Sequence, residues 1–269
     1  MGFHKADAAS EAVRYYTFES LEACGAPHAA FTRQGGVSTS PWASLNVGGT
    51  VGDNPAHVAE NRRRAFQALG RPLESLYDVW QVHGKEVVCT RAPRQPNAPH
   101  LQADVILTDQ PGVTLFMRFA DCVPIFLYDP RRKVAGLAHA GWQGTLKRVA
   151  AQAARVMQEH YHCDPADIQA GIGPSIGPHH YQVGPEIVAQ IQQAFGQDAA
   201  GLLSALYSKQ QNSRVQFDLW NANRLVLEQA GVRKVEVSGI CTACALADWY
   251  SHRGEGGKTG RFGALIAVS

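Results

Sequence analysis

Short, nearly unbroken apolar runs punctuate the chain, with segments of helical periodicity between them. DVILTD (104–109), GVTLFMRFA (112–120), CVPIFLYD (122–129), KVAGLAHA (133–140), IQAGIGP (168–174), KVEVSGICT (234–242) and FGALIAVS (262–269) have strand length and strand composition. GDNPAHVAENRRRAFQALG (52–70) predicts a helix: Asp53 or Asn54 can cap it, Pro55 suits its first turn, and Gly70 follows the last periodic residue. Further helices are predicted at about 144–160, 184–195 and 218–230. Strands and helices alternate only in places, and 113–139 reads as an antiparallel meander joined by short turns. These elements predict a mixed α/β (α+β) architecture, with mixed sheets flanked by helices rather than one regular doubly wound sheet. No repeat or linker divides the chain, so one domain over 1–269 is expected, with its core at about 28–269 and residues 1–27 as an N-terminal arm.

Two of these apolar runs carry residues that packing alone does not ask for. YDPRRK (128–133) is a turn with Pro after Asp. A hairpin symmetric about Pro130–Arg131 places Tyr128 opposite Lys133 and Cys122 opposite His139. Opposed residues share a face with Cβ atoms roughly 4.5–5.5 Å apart. That lets a thiolate and an imidazole touch, or share a metal ion with bonds of ~2.0–2.3 Å. A bulge at Pro124 would slip the register by one and part them. Taken singly, Cys122 reads as a core thiol and His139 as a satisfied buried histidine. The neighbouring Asp121, the glycines of HAGWQG (139–144) and a third donor, His83 in VWQVHG, shift the balance. Two histidines and a cysteine with an open position make the pattern of a catalytic zinc.

Composition narrows the partners. Hydrophobic residues make up 45% and charged residues 18% of 269, enough for a sizeable core, and the formal net charge is +2. Neither nucleic acid nor an anionic membrane is an expected partner at that charge. The N-terminus shows no signal-peptide or myristoylation pattern, and no run reaches the ~18 apolar residues of a membrane helix. A soluble cytoplasmic protein, monomer or homodimer, with a small-molecule substrate is the expectation. The six cysteines read as reduced thiols. CTAC (241–244) has no second pair to complete a zinc site and reads as two buried structural thiols rather than a redox motif. The adjacent histidines of PHHY (178–181) are placed at a surface or pocket rim, because sequence neighbours rarely ligate one metal together.

Six motifs in chain order carry a resemblance: TRQGGVSTSPWASLNVGGTVGDNPAHVAENR (32–62), QVHG (81–84), ADCVP (120–124), HAGWQG (139–144), GIGPSIGPHHYQVG (171–184) and SHRGEGGKTGRFGALI (251–266). Together they resemble the YfiH family, the laccase-domain or multicopper polyphenol oxidoreductase-like proteins. The resemblance implies a fold similar to the cytotoxic-necrotizing-factor-like cysteine hydrolases and a zinc site of His83, Cys122 and His139. It also implies purine nucleoside phosphorylase activity on adenosine, inosine and methylthioadenosine, with adenosine deaminase activity. Some bacterial members are linked instead to peptidoglycan precursor editing. Two positions depart from the family pattern: Gln143 and Gly254 stand where an arginine is usual.

On these grounds the expected catalytic set is Cys122, His139, His83 and Asp121, the last as shuttle or support. Phosphorolysis needs cations for phosphate, so the expected substrate-binding set is Arg62, Arg118, Arg253 and Arg261, with Asn46, Gln143 and Lys258 beside them. Zn²⁺ is the expected cofactor, and Cu²⁺ can occupy the same ligands. Two rivals use the same residues or their neighbours. Copper-dependent phenol oxidation wants about ten histidines in HxH pairs, and the chain has one such pair, His160 and His162. Metal-free hydrolysis would use Cys122 as nucleophile and His139 as base.

Overall fold

Apolar runs without polar alternation bury both faces, so each strand needs cover on two sides. The computed structural model, which describes residues 3–7, 13–206 and 214–269, supplies that cover with two packed sheets between helices. The first sheet runs Phe3–Asp7, Arg14–Phe18, His28–Phe31, Phe262–Ala267, Thr114–Phe119, Leu76–Tyr77. The second runs Lys234–Val237, Gln169–Ile172, Val123–Asp129, Val134–Ala140, Val105–Thr108, Val87–Cys89. Both mix parallel and antiparallel pairs. A small sheet of Gln182–Val183, Arg214–Phe217 and Leu203–Leu206 stands beside them.

Period-two alternation divides the side chains among the layers. Leu115 and Met117 point between the sheets to meet Ile106, Phe126 and Leu137, while Phe116 points the other way and packs on Phe66 of the helix Pro55–Ala68. Ile125 and Leu127 face outward from the second sheet, against Ala150, Ala153 and Met157 of Val149–Tyr161 and Val226 of Leu219–Gln229. Of the two candidate caps for Pro55–Ala68, Asn54 does the capping, accepting from Ala56 N at 2.9 Å. Asp53 instead accepts from Ser38 Oγ at 2.6 Å and Asn46 Nδ2 at 2.8 Å.

The fold departs from the sequence expectations in three places. The predicted meander is cut: Thr114–Phe119 pairs with Phe262–Ala267 in the first sheet, while the next strand belongs to the second. The expected helix at 144–160 is two helices, Trp142–Leu146 and Val149–Tyr161, separated by Arg148 in the left-handed region (φ 58°). Residues 14–23 are more than an arm, because Arg14–Phe18 pairs with His28–Phe31 and both Phe18 and Leu21 are fully buried. A strand this short, read alone, carries too little alternation to be recognised. Among the described residues, no helix is long and apolar enough to cross a membrane.

Candidate metal centre

The chain passes from the first sheet to the second between Phe119 and Val123. Asp121 turns it there with a φ of 80°. The hairpin that follows is wider than its sequence predicts. Asp129 Oδ1 accepts from Arg131 N at 2.8 Å and Arg132 N at 3.0 Å, Lys133 takes a φ of 52°, and Asp129 pairs with Val134. His139 therefore lies opposite Pro124 rather than Cys122. The register has moved by two residues, not one, so Cys122 and His139 keep the same face as diagonal neighbours.

His83 completes the group from the loop after Val79. Its Nε2 lies 3.9 Å from Cys122 Sγ, its ring centroid is 4.9 Å from that of His139, and the three donor atoms lie within 4.8 Å of one another. A Cβ on Gly141 would sit 3.0 Å from both Cys122 Sγ and His83 Cδ2, so a larger residue there would press on two of the donors.

One carboxylate organises both imidazoles. The fully buried Asp104 accepts from His139 Nδ1 at 2.7 Å and from the backbone N–H groups of Val82 (3.1 Å), His83 (3.1 Å) and Gly84 (2.6 Å). His139 must then carry its proton on Nδ1, leaving the Nε2 lone pair free for a metal. Burial pushes the Cys122 thiol up, but His139 and His83 outweigh it and bring the thiol down to about 6. Burial likewise lowers His139, and the Cys122 thiolate and Asp104 raise it to about 9. A ready thiolate, an oriented imidazole and a second imidazole fit a divalent metal with nitrogen and sulfur preference. In metal-stripped protein, Cys122 is expected to alkylate with half-maximal rate near pH 6, against ~8.5 for an ordinary thiol. Peptide mapping after iodoacetamide treatment reads this, and an ordinary midpoint would contradict the thiolate–imidazolium pairing.

Asp121 is bound on both oxygens. Oδ1 accepts from Thr242 Oγ1 and Ser251 Oγ, each at 2.7 Å, and Oδ2 accepts from Arg253 N at 2.6 Å. These bonds tie segments 242 and 251–253 to the turn that presents Cys122. Asp121→Ala strands three donors and is expected to cost about 2–4 kcal/mol of stability, read by chemical denaturation. Unchanged stability would remove its structural role.

The three donors open into a cleft of about 470 Å³. Of the sequence-predicted substrate residues, Arg118, Arg253 and Arg261 line it. Arg118 is half-committed below, bonded to Val79 O and 3.4 Å from Asp78 Oδ2, and burial lowers its pKa to about 10. Arg253 lies over the Tyr181 ring at 5.5 Å. Asn46 is buried behind the wall, accepting from Gly48 N and Arg261 N and donating to Asp53, so it shapes the Gly48–Gly49 edge without lining it. Arg62 supports the same edge through Val47 O at 3.0 Å. Gln143 lies elsewhere, in a separate shallow depression with Trp142 and Lys147, and neither Lys258 nor Gly254 lines the cleft.

Sequence reasoning did not single out Asp104, Tyr181, Trp80 or His252. Asp104 was visible only as the acid opening DVILTD, and nothing local distinguishes it from a strand-end residue. Reasoning from sequence also kept PHHY and CTAC apart. Among the described residues there are two groupings of His and Cys donors, and the second joins His179, His180, Cys241 and Cys244. Cys244 is exposed, so CTAC is not a pair of buried thiols; all six cysteines are free. His160 and His162 belong to neither grouping.

Residues 27–269 match the family model described as multi-copper polyphenol oxidoreductase laccase. A purine nucleoside phosphorylase of Deinococcus radiodurans is 40% identical over 242 residues, covering 90% of this chain and 89% of its own length. The purine nucleoside phosphorylase YlmD of Geobacillus stearothermophilus is 38% identical over 257 residues, covering 90% and 92%. The crystal structure of YfiH from Bacillus licheniformis matches with a TM-score of 0.87 at 30% identity, covering 99% of each chain. That of Geobacillus stearothermophilus YlmD matches at 0.86 and 35% identity, covering 96% of this chain and 97% of that one. With its fold and nearly its whole length in common with these proteins, the chain belongs to the multi-copper polyphenol oxidoreductase laccase family, among YfiH and YlmD relatives.

Proposed function

We propose that the chain is a zinc-dependent purine nucleoside phosphorylase acting on adenosine, inosine and methylthioadenosine, with adenosine deamination at the same site. The observation that carries this reading is a His83–Cys122–His139 cluster on a cleft also lined by the guanidinium groups of Arg118, Arg253 and Arg261 and by flat aromatic faces. The relatives' names point the same way. In phosphorolysis a phosphate oxygen attacks the ribose C1′ while the glycosidic C–N bond breaks and the purine leaves with the electron pair. In this reading Arg253 and Arg261, which line the cleft, hold phosphate and neutralise charge that grows on it. Trp80 is 48% exposed at the rim, and with Tyr181 it offers stacking surface for the purine. Zinc, when bound, supplies a Lewis acid that polarises an oxygen and favours its deprotonation near neutral pH. Asp104 keeps the His139 lone pair aimed at the cluster, and Asp121 holds the Arg253 backbone against the turn of Cys122.

A second reading draws on the Asp104–His139–Cys122 chain, which has the roles of a metal-free cysteine hydrolase: orienter, base and nucleophile. Such a site would suit editing of a peptidoglycan precursor. The deciding assay incubates purified protein with each nucleoside, with and without phosphate, and separates the products chromatographically. Free base formed only with phosphate, and inosine formed from adenosine, are the expected results. Neither product, with release of serine from a peptide precursor, would overturn the phosphorylase reading.

A further inference from the structure

A second cluster of donors is linked to Asp121 through Thr242, whose Oγ1 donates to Asp121 Oδ1 at 2.7 Å. After Ile176 the chain makes one turn of 3-10 helix, Pro178–His180, which turns two consecutive imidazoles toward one point. The segment after Lys234–Val237 runs alongside, held by Ser175 N to Ile240 O at 3.2 Å and Thr242 N to Ser175 O at 3.0 Å. This short zipper sets CTAC against PHHY, 61 residues apart in sequence for Cys241 and His180. His180 Nδ1 lies 3.5 Å from both Cys241 Sγ and Cys244 Sγ, and His179 Nε2 lies 3.0 Å from Cys244 Sγ. All four donor atoms fall within 4.8 Å of one another.

These separations have a simple geometric meaning. A tetrahedral zinc with bonds of about 2.3 Å to sulfur and about 2.0 Å to nitrogen sets its S···N edges at about 3.5 Å. The two histidines present different ring nitrogens, Nε2 and Nδ1, with ring centroids 4.7 Å apart, which removes the usual obstacle to sequence neighbours sharing an ion. The backbone N–H of Gly177 donates to Cys241 Sγ at 3.2 Å, the outer hydrogen bond that a metal thiolate attracts. A Cβ at Gly177 would meet His179 Cε1 at 2.7 Å and Cys241 Cβ at 3.1 Å, so a side chain at the residue that donates would push on two members of the cluster.

We propose that His179, His180, Cys241 and Cys244 form a second, structural metal centre that takes zinc and staples segment 177–181 to segment 241–244. Four protein donors leave no open position, so the ion holds structure and performs no chemistry. Two thiolates with two imidazoles select zinc over the harder divalent cations. The staple lies under the cleft wall. Tyr181 follows His180 directly and stacks beneath Arg253, while Thr242, between the two cysteines, donates to Asp121 beside Cys122. The second ion therefore fixes the wall that the first centre faces, whatever reaction occurs at Cys122.

The test counts metal in the full chain purified without chelator. Elemental analysis is expected to find two zinc ions per chain in the wild type, one in Cys122→Ser and one in Cys244→Ser. Cobalt titration of apo Cys122→Ser should give the visible bands of a four-coordinate thiolate site, absent once Cys244→Ser is added. If Cys244→Ser does not fold, apo Cys122→Ser answers alone: zinc should raise its melting temperature by several degrees. A Cys122→Ser protein that holds no zinc and melts unchanged with zinc overturns the proposal. So does intact mass showing a Cys241–Cys244 disulfide in protein prepared under reducing conditions.

Discussion

His83→Ala is expected to lose the metal and the nucleoside turnover together. Two donors, Cys122 and His139, remain within reach of the ion, too few for a three-ligand catalytic site. An outer partner of a metal ligand costs ~10–100-fold in affinity or activity when removed, so loss of a ligand should lower kcat/KM by at least about 100-fold. His83 is exposed, which keeps the change from opening a cavity in the core. The measurement pairs bound zinc with kcat/KM on each nucleoside. It also separates the two readings of the site, because the Asp104–His139–Cys122 chain survives the substitution intact. Metal-stripped His83→Ala protein with full activity would sink zinc catalysis and leave the hydrolase dyad standing.

Asp104→Asn should have the next largest effect. Each carboxylate oxygen of Asp104 receives two donors: His139 Nδ1 and His83 N on Oδ1, Val82 N and Gly84 N on Oδ2. An amide keeps one acceptor oxygen and turns its NH₂ toward the other two donors. Each stranded donor costs about 1–3 kcal/mol, and zinc affinity is expected to fall about 10–100-fold. The same change removes one of the charges that hold His139 protonated in the metal-free protein, so the Cys122 alkylation midpoint should move up from about 6. Equal zinc affinity in Asp104→Asn and wild type would show that the imidazoles need no such anchor.

The elements with the plainest patterns were legible in the sequence. Pro55–Ala68 was announced by its cap and its Pro, and the apolar runs at 104–109, 112–120, 122–129, 133–140, 168–174, 234–242 and 262–269 all contain strands. What could not be read was which sheet each run would join. The local pattern of Thr114–Phe119 is the same whether its partner is the next strand or one nearly 150 residues on. The cluster of His83, Cys122 and His139 was reached through a hairpin register that the Asp129 turn shifted by two residues, and it survived because an even shift keeps the face. Asp104 was missed for the converse reason: its importance lies in four donors that converge on it from two other segments. Gln143 shows the limit of motif reading, since its place in HAGWQG is near His139 in sequence and outside the cleft in space.

Cys122 closes the crossing from the first sheet, His139 rides within the second, and His83 hangs on a loop moored to Asp104 at the start of the second sheet's strand Val105–Thr108. The ligand set belongs to no single element, and the loop that carries His83 is tied to both sheets, because Gln81 donates to Arg118 O of the first sheet at 2.8 Å and accepts from Arg118 N at 3.1 Å. Retention of a metal ion there would thus gauge how firmly the sheets are docked. A small lateral slip in the layer of Met117, Phe126 and Leu137 would draw His83 away from Cys122 and His139 well before any strand came apart. Trimming that layer, as in Phe126→Leu, should quicken zinc release to a chelator at temperatures where the circular dichroism is still that of the folded protein. An unchanged release rate in such a variant would mean that the site is insulated from the sheets that build it.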